Sequence, residues 1–416
     1  MQNVMALYGV QVGRKLIPLL SIPYMARILG PAGWGRVAFF TALADFLVIL
    51  IEFGFNISAT RQIARKRDQP LELAETMAGV MGAQFILASA GIAITLTAAY
   101  FVPILHNHPA LLASGLLYAV AQGFSPQWFF QGLEKMRSAA ALELSGKMAA
   151  LIGLFFFVHG PDDGWKVLAM GALAPGFATI AALILAYRHM PFRVPTPRTV
   201  LPALKMGWPM FFFRSAESLY GVGNAFLLGL FTTAELVGYF SAAEKIAKAA
   251  FGLLNPIREA IFPRLSHLAA TGGTEAASPL ARRAALWMIG GGFALAAALY
   301  LCAPQATALL LGPSFAPAVK VLRIFSLLPV LLSITYSIGF QWLLPFGHDN
   351  AINQIILAAG VLNVGLSLLL APGFADIGMA WAVITAEAFV SIAMVAAVRR
   401  MSVTQSSATP LEVTHG

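Results

Sequence analysis

Long apolar runs, separated by short polar or glycine- and proline-rich turns, recur along all 416 residues of the chain. A bilayer core about 30 Å thick takes roughly 20 apolar residues per helix. On that scale the pattern predicts twelve crossing helices, over 6–28, 37–59, 78–101, 110–131, 138–158, 166–187, 207–230, 236–257, 284–304, 321–346, 352–371 and 378–398. The runs are unbroken, whereas transmembrane β-barrels alternate apolar and polar positions over segments of about ten residues, so a barrel is excluded.

The basic, proline-containing stretch Arg188–Lys205 divides these helices six and six. An even number per half makes both halves enter from the same side, as a parallel repeat. Two segments echo each other across the division, Leu29–Phe39 and Phe231–Ser241, each with a glycine (Gly35, Gly238) just before the next helix. The expected fold is an all-α integral membrane protein with about twelve transmembrane helices in two six-helix lobes around a central cavity. The expected divisions are an N-lobe at 1–190, a cytoplasmic linker at 191–205, a C-lobe at 206–400 and a disordered cytoplasmic tail at 401–416. No connection is long enough for a soluble domain, and 258–283 reads as a Gly/Ser/Thr-rich link.

Composition supports a surface that faces hydrocarbon. The chain is 59% hydrophobic and 11% charged, with a mean hydropathy of +0.77, against roughly 25% charged residues in soluble domains. The net charge of +9 is accounted for by topology rather than by nucleic acid. With the N-terminus inside, the cytoplasmic segments hold Arg61, Arg65, Lys66, Arg67, Lys135, Arg137, Arg188, Arg193, Arg198, Lys205, Arg258, Arg264, Arg282, Arg283, Arg399 and Arg400. The opposite side holds Arg27, Arg36, Lys166, Lys320 and Arg323. This positive-inside bias puts both termini in the cytoplasm. Cys302 is the sole cysteine, so no disulfide is expected, and the N-terminus lacks the basic region of a cleavable signal.

The remaining charges lie inside spans, where each costs at least ~2.5–3.5 kcal/mol and therefore meets water, a ligand or another charge. The basic ones are Arg14, Lys15, Lys147, Arg214, Lys245 and Lys248; the acidic ones are Asp45, Glu52, Glu143, Glu217, Glu244 and Glu387. Helical spacing predicts local pairs Glu143–Lys147, Arg214–Glu217 and Glu244–Lys248, and leaves Lys245 as the free cation. Arg14 and Arg214 each fall about eight residues into the first helix of their half, some ~12 Å from its cytoplasmic end. Arginine forks match phosphate oxygens and lysine serves as a point charge. Arg14, Lys15, Arg214, Lys245 and Lys248 would together suit a diphosphate headgroup, although Arg14 and Lys15 could instead snorkel to the inner headgroups. Asp45 and Glu52, with Glu217 and Glu244, are either ion-coupling sites or counterions. Prolines within spans, Pro18, Pro23, Pro126, Pro175, Pro209 and Pro329, mark hinges or static kinks.

Catalytic chemistry finds little support. His106 and His108 have no third ligand in view, no phosphate-cradling Gly-x-x-x-x-Gly-Lys occurs, and Asp162-Asp163 reads as a solvated turn.

Three stretches carry a family resemblance: YGVQVGRKLIPLLSIPYMARILGPAGWGRVAF at residues 8–39, PQWFFQGLEKM at 126–136 and VGYFSAAEKI at 237–246. They resemble the polysaccharide transporters (Wzx-type lipid-linked oligosaccharide flippases) of the multidrug/oligosaccharidyl-lipid/polysaccharide exporter superfamily. The resemblance runs over essentially the whole chain. It implies a flippase that carries undecaprenyl-diphosphate-linked O-antigen or exopolysaccharide repeat units from the cytoplasmic to the periplasmic leaflet of the bacterial inner membrane. It further implies alternating access between two lobes, coupling to H⁺ or Na⁺ rather than ATP, no cofactor, and Arg14 at the diphosphate. Implied partners are the lipid-linked substrate, membrane lipids, a polysaccharide polymerase and a chain-length regulator. Two alternatives stay open: an ion-coupled drug/cation antiporter of the same superfamily, which would want an acid-dominated cavity, and a membrane polysaccharide polymerase, which would want a large outer loop.

Overall fold

The computed structural model describes residues 2–188, 190–221 and 223–407, with the side chains at 1–20, 136–140, 213, 216, 217, 219, 220, 272, 274, 275, 340 and 401–407 excepted. Among these residues every regular element is helical. That follows from the solvent, because hydrocarbon offers backbone N–H and C=O groups no partner outside the segment itself.

Six helical segments among the described residues are long and apolar enough to cross a bilayer: Ser21–Arg65, Pro70–Phe101, Pro161–Tyr187, Ala276–Leu301, Ala318–Leu343 and Asp349–Arg400. The longest helices are kinked where the sequence predicts turns. Gly30, at φ 64°, breaks Gln2–Glu52 between the first two expected spans. Ala375, at φ 49°, breaks Asp349–Ser407 between the last two. The expected link at 258–283 is corrected: helix Asn255–Leu301 runs through it, with its one non-helical residue at Gly273. Leu265, Ala277 and Ala281 there are buried in a small core with Trp342 and Phe346 packed against it, and that packing outweighs the helix-poor composition. Residues 408–416 of the expected tail lie outside the described residues.

Contacts divide the chain into two compact units, Met1–Gly238 with Leu310–Phe315, and Tyr239–Leu309 with Ala316–Gly416. The helices Pro197–Gly221 and Asn224–Phe231 therefore group with the first unit. That unit centres on fully buried Phe55, Ile63, Met77, Trp128 and Phe129. In the second, Phe240 and Phe325 meet edge to face at 5.4 Å, both fully buried.

Within the first unit the two echoing glycines meet. A Cβ on Gly35 would fall 1.7 Å from the Ala234 carbonyl oxygen and 2.7 Å from the Gly238 nitrogen. A Cβ on Gly238 would fall 2.1 Å from the Pro31 carbonyl oxygen. Backbone lies directly on backbone here, an approach only glycine permits.

The second unit holds a further irregularity, a π-helical stretch at Thr335–Leu343. The wider i→i+5 turn is rare and concentrates at functional positions, because it re-aims side chains that an α-helix would send elsewhere.

Candidate functional site

In the first unit, an abrupt turn assembles a polar cluster. The helix ends at Glu52, and the next two residues, Phe53 (φ 44°) and Gly54 (φ 75°), are left-handed. The turn docks onto Pro197–Gly221: a Cβ on Gly54 would meet the Met210 Cβ at 2.5 Å, and one on Gly207 would meet the Phe53 carbonyl oxygen at 2.5 Å. The Phe53 ring stacks on Phe211 with centroids 4.6 Å apart. One turn further along that helix lies Arg214, within electrostatic reach of Glu52, whose carboxylate also accepts a hydrogen bond from the Asn56 side chain. Tyr118, from helix Pro109–Gly123, lies within electrostatic reach of both Glu52 and Asp45. Spans that carry the two acids, the arginine and the tyrosine thus converge. The side chains of Arg14, Lys15 and Glu217 lie outside the described residues, so the expected Arg214–Glu217 pair does too.

In the second unit, the pair predicted from i,i+4 spacing is present, with Lys248 Nζ 2.7 Å from Glu244 Oε1. Lys248 is also within electrostatic reach of Glu387 and of Tyr336. Glu387 is buried, and the Tyr336 ring stacks on Phe251 at 5.5 Å and carries the Arg258 guanidinium 4.6 Å from its centre. Lys245 corrects the sequence reading: it is exposed and not without a partner, so it is no free cation. The neutralising pair Glu143–Lys147 forms as spaced, at 2.5 Å.

The sequence reading left out Asn56, Tyr118, Tyr336 and Arg258 and gave Glu387 no role. Arg258 counted only toward topology, and tyrosines carry no charge to draw notice inside an apolar run. The π-helical turn that places Tyr336 has no signal in a single sequence.

Removing Lys248 would leave Glu244 and Glu387 as neighbouring acids without their shared cation. Lys248→Met is expected to lower unfolding stability by about 1–3 kcal/mol, tempered by the partial exposure of the pair. The double variant Glu244→Gln/Lys248→Met should recover part of that loss. Thermal unfolding of the detergent-solubilised proteins checks both.

The profile of a family described as "Polysaccharide biosynthesis protein" matches residues 1–269. Over 405 residues the chain is 30% identical to the "Putative O-antigen transporter" of Escherichia coli (strain K12), covering 96% of each. It is 28% identical to the "Putative O-antigen transporter" of Shigella dysenteriae over 404 residues, 96% of this chain and 100% of the relative. Among solved structures it is similar to "Lipid II flippase MurJ, inward closed conformation", with a TM-score of 0.72 at 13% identity, over 95% of this chain and 87% of that one. It is also similar to an inward-facing multidrug resistance MATE family transporter of the MOP superfamily, with a TM-score of 0.67 at 15% identity, over 95% and 100%. At these identities the structural likeness establishes the fold alone, an all-helical bundle.

Proposed function

We propose, from the premise that this chain belongs to the polysaccharide biosynthesis protein family, that it is a flippase for undecaprenyl-diphosphate-linked oligosaccharide. It is a multi-pass membrane transporter and not an enzyme. In this reading it moves O-antigen or exopolysaccharide repeat units from the cytoplasmic to the periplasmic leaflet of the inner membrane by alternating access, with both termini in the cytoplasm. The polymerase and chain-length regulator would receive its product.

The carrying observation is that two cations of the helical bundle lie among acids and tyrosines: Lys248 pairs with Glu244 at 2.7 Å and is within reach of Glu387 and Tyr336, and Arg214 is within reach of Glu52. Glu52 in turn lies within reach of Tyr118, which also reaches Asp45. A cation with several polar neighbours can exchange one of them for an incoming phosphate oxygen. Arg214 and Lys248, with Arg14, Lys15 and Lys245, would take the diphosphate. Asp45 and Glu52 would take the coupling H⁺ or Na⁺.

Deletion of the gene tests this. The expected result is loss of surface polysaccharide, with lipid-linked repeat units accumulating on the cytoplasmic leaflet, out of reach of a periplasmic glycosidase added to spheroplasts. Lipid-linked units that remain fully accessible to the glycosidase in the deletion strain would overturn the reading.

A further inference from the structure

One end of the first unit holds polar side chains that the proposed diphosphate and ion sites do not use. The short turn Pro161–Asp163 precedes helix Gly164–Tyr187 and packs on the chain just past the Gly30 kink. A Cβ on Gly33 would lie 2.9 Å from the Pro161 carbonyl oxygen, and one on Gly164 would lie 2.9 Å from Val37 Cγ2. The turn is also tied down from within. The Asp163 carboxylate accepts from the backbone N–H groups of His159 and Gly160 at 2.9 and 3.2 Å, and meets Lys166 Nζ at 2.6 Å. Asp162 beside it is 99% exposed and stands 3.7 Å from Arg36. A cavity of about 220 Å³ opens here, walled by Arg36, Asn107, His108, Pro109, Asp162 and Trp165.

The lining narrows the ligand. Arg36 and Asp162 carry opposite charges, so the wall is balanced: an anion meets Asp162 and a cation meets Arg36. Their separation of 3.7 Å is too long for a hydrogen bond, so the guanidinium keeps N–H groups, and the carboxylate lone pairs, for a ligand. Burial, and then the nearby Arg36 charge, hold His108 below the ordinary histidine range. Its ring, set edge-on to Phe40, is therefore neutral and offers one donor and one acceptor. Asn107 offers both kinds in its amide. Trp165 adds a half-exposed indole. A ligand that fits is uncharged, carries several groups that each donate and accept, and presents an apolar face to an aromatic ring. A pyranose has all three, with hydroxyls around its rim and C–H groups on its face. The cavity is smaller than the roughly 300–1,000 Å³ of drug-sized sites, so it takes one ring and not a chain of them.

We propose that Arg36, Asn107, His108, Asp162 and Trp165 form a subsite for one neutral hexose of the glycan, at the end of the first unit where cargo leaves. Asp162 accepts from two neighbouring hydroxyls, Arg36 and Asn107 donate to hydroxyl oxygens, and the C–H face of the ring rests on Trp165. This rests on the flippase reading and on the basic-residue bias that puts the turn opposite the cytoplasm. It adds to that reading a place where the sugar is met after crossing.

The test uses the purified full chain in lipid nanodiscs and soluble probes: the methyl glycosides of glucose, galactose and mannose, and those of the corresponding uronic acids. Binding is followed by saturation-transfer NMR. The wild type is expected to bind at least one hexoside. The matching uronic acid should bind at least roughly tenfold more weakly, since its carboxylate gives up water to lie near Asp162. Asp162→Asn and Trp165→Ala should each weaken the hexoside at least roughly tenfold, whereas Trp165→Phe keeps an aromatic face and retains most of the binding. Asp162→Asn should melt as the wild type does, because an exposed ion pair adds little stability. Ala110→Cys in a Cys302→Ser chain should react with a membrane-impermeant maleimide on intact spheroplasts, and the hexoside should slow that reaction. No hexoside bound by the wild type, equal binding of the uronic acid, or binding that survives both Asp162→Asn and Trp165→Ala overturns the subsite and leaves the flippase reading intact. Labelling confined to broken cells overturns the exit role. Lipid-linked units that stay accessible in the deletion strain, with hexoside binding intact, overturn the flippase reading alone.

Discussion

Gly35→Leu is expected to leave little folded protein in the membrane, with its steady-state level down at least tenfold by quantitative immunoblot. Ordinary overpacking of a core costs about 1–3 kcal/mol, because neighbouring side chains can rotate away. At Gly35 no such escape exists: the obstructing atoms are the Ala234 carbonyl and the Gly238 nitrogen, at 1.7 and 2.7 Å from the added carbon. Both belong to the backbone entering a helix, so relief requires separating two elements of the first unit. Gly238→Leu should match it, since the Pro31 carbonyl stands 2.1 Å from its Cβ position. Gly290→Ala is the control. Nothing lies within 4 Å of its Cβ position, and the site is helical and exposed, so alanine should gain about 0.5–1 kcal/mol. Normal levels of Gly35→Leu would mean that the observed backbone contact is not part of the folded state.

The same pair illustrates what a single sequence carries. The glycines stood out because each was expected just before a helix in matching halves, and that match is local; in the structure Gly35 lies five residues past the Gly30 kink and Gly238 inside helix Ala234–Gly252. That they touch one another depends on how distant helices pack, which no spacing rule reports. The charges divide in the same way. Glu143–Lys147 and Glu244–Lys248 were legible because helix geometry alone brings positions four apart together. Glu52 with Arg214 was not, for it depends on the left-handed Phe53–Gly54 turn and on the Phe53–Phe211 stack. Apolar length was legible for six helical segments among the described residues, against the twelve spans expected, and the kinks at Gly30 and Ala375 fall where turns were expected. The segment 258–283 misled, because its Gly, Ser and Thr content predicts a loop while burial of Leu265, Ala277 and Ala281 sustains a helix. Arg258 was set aside for a related reason. A loop arginine is taken up by topology, and only its seat over Tyr336 marks it as part of a site.

Arg214→Ala is expected to reduce surface-polysaccharide export at least ~100-fold while the protein remains inserted at near-normal level. A forked guanidinium gives a phosphate two charge-assisted hydrogen bonds, each about 1.5–3 kcal/mol, and every 1.4 kcal/mol is a factor of ten. Arg214→Lys keeps the charge and loses the fork, so it should retain partial export. The rival explanation is that Arg214 exists to neutralise Glu52, which lies within its reach. If so, the double variant Glu52→Gln/Arg214→Ala removes both the charge and the need for it, and export returns. The phosphate role predicts that the double variant stays inactive, because a neutral glutamine leaves nothing to hold the lipid diphosphate. The protein's insertion separates the two accounts further. Loss of a structural countercharge lowers the amount of folded protein in Arg214→Ala and restores it in the double variant, whereas loss of a substrate contact leaves both levels unchanged. Normal export by Arg214→Ala at native expression, or its rescue by Glu52→Gln, would remove Arg214 from the diphosphate site.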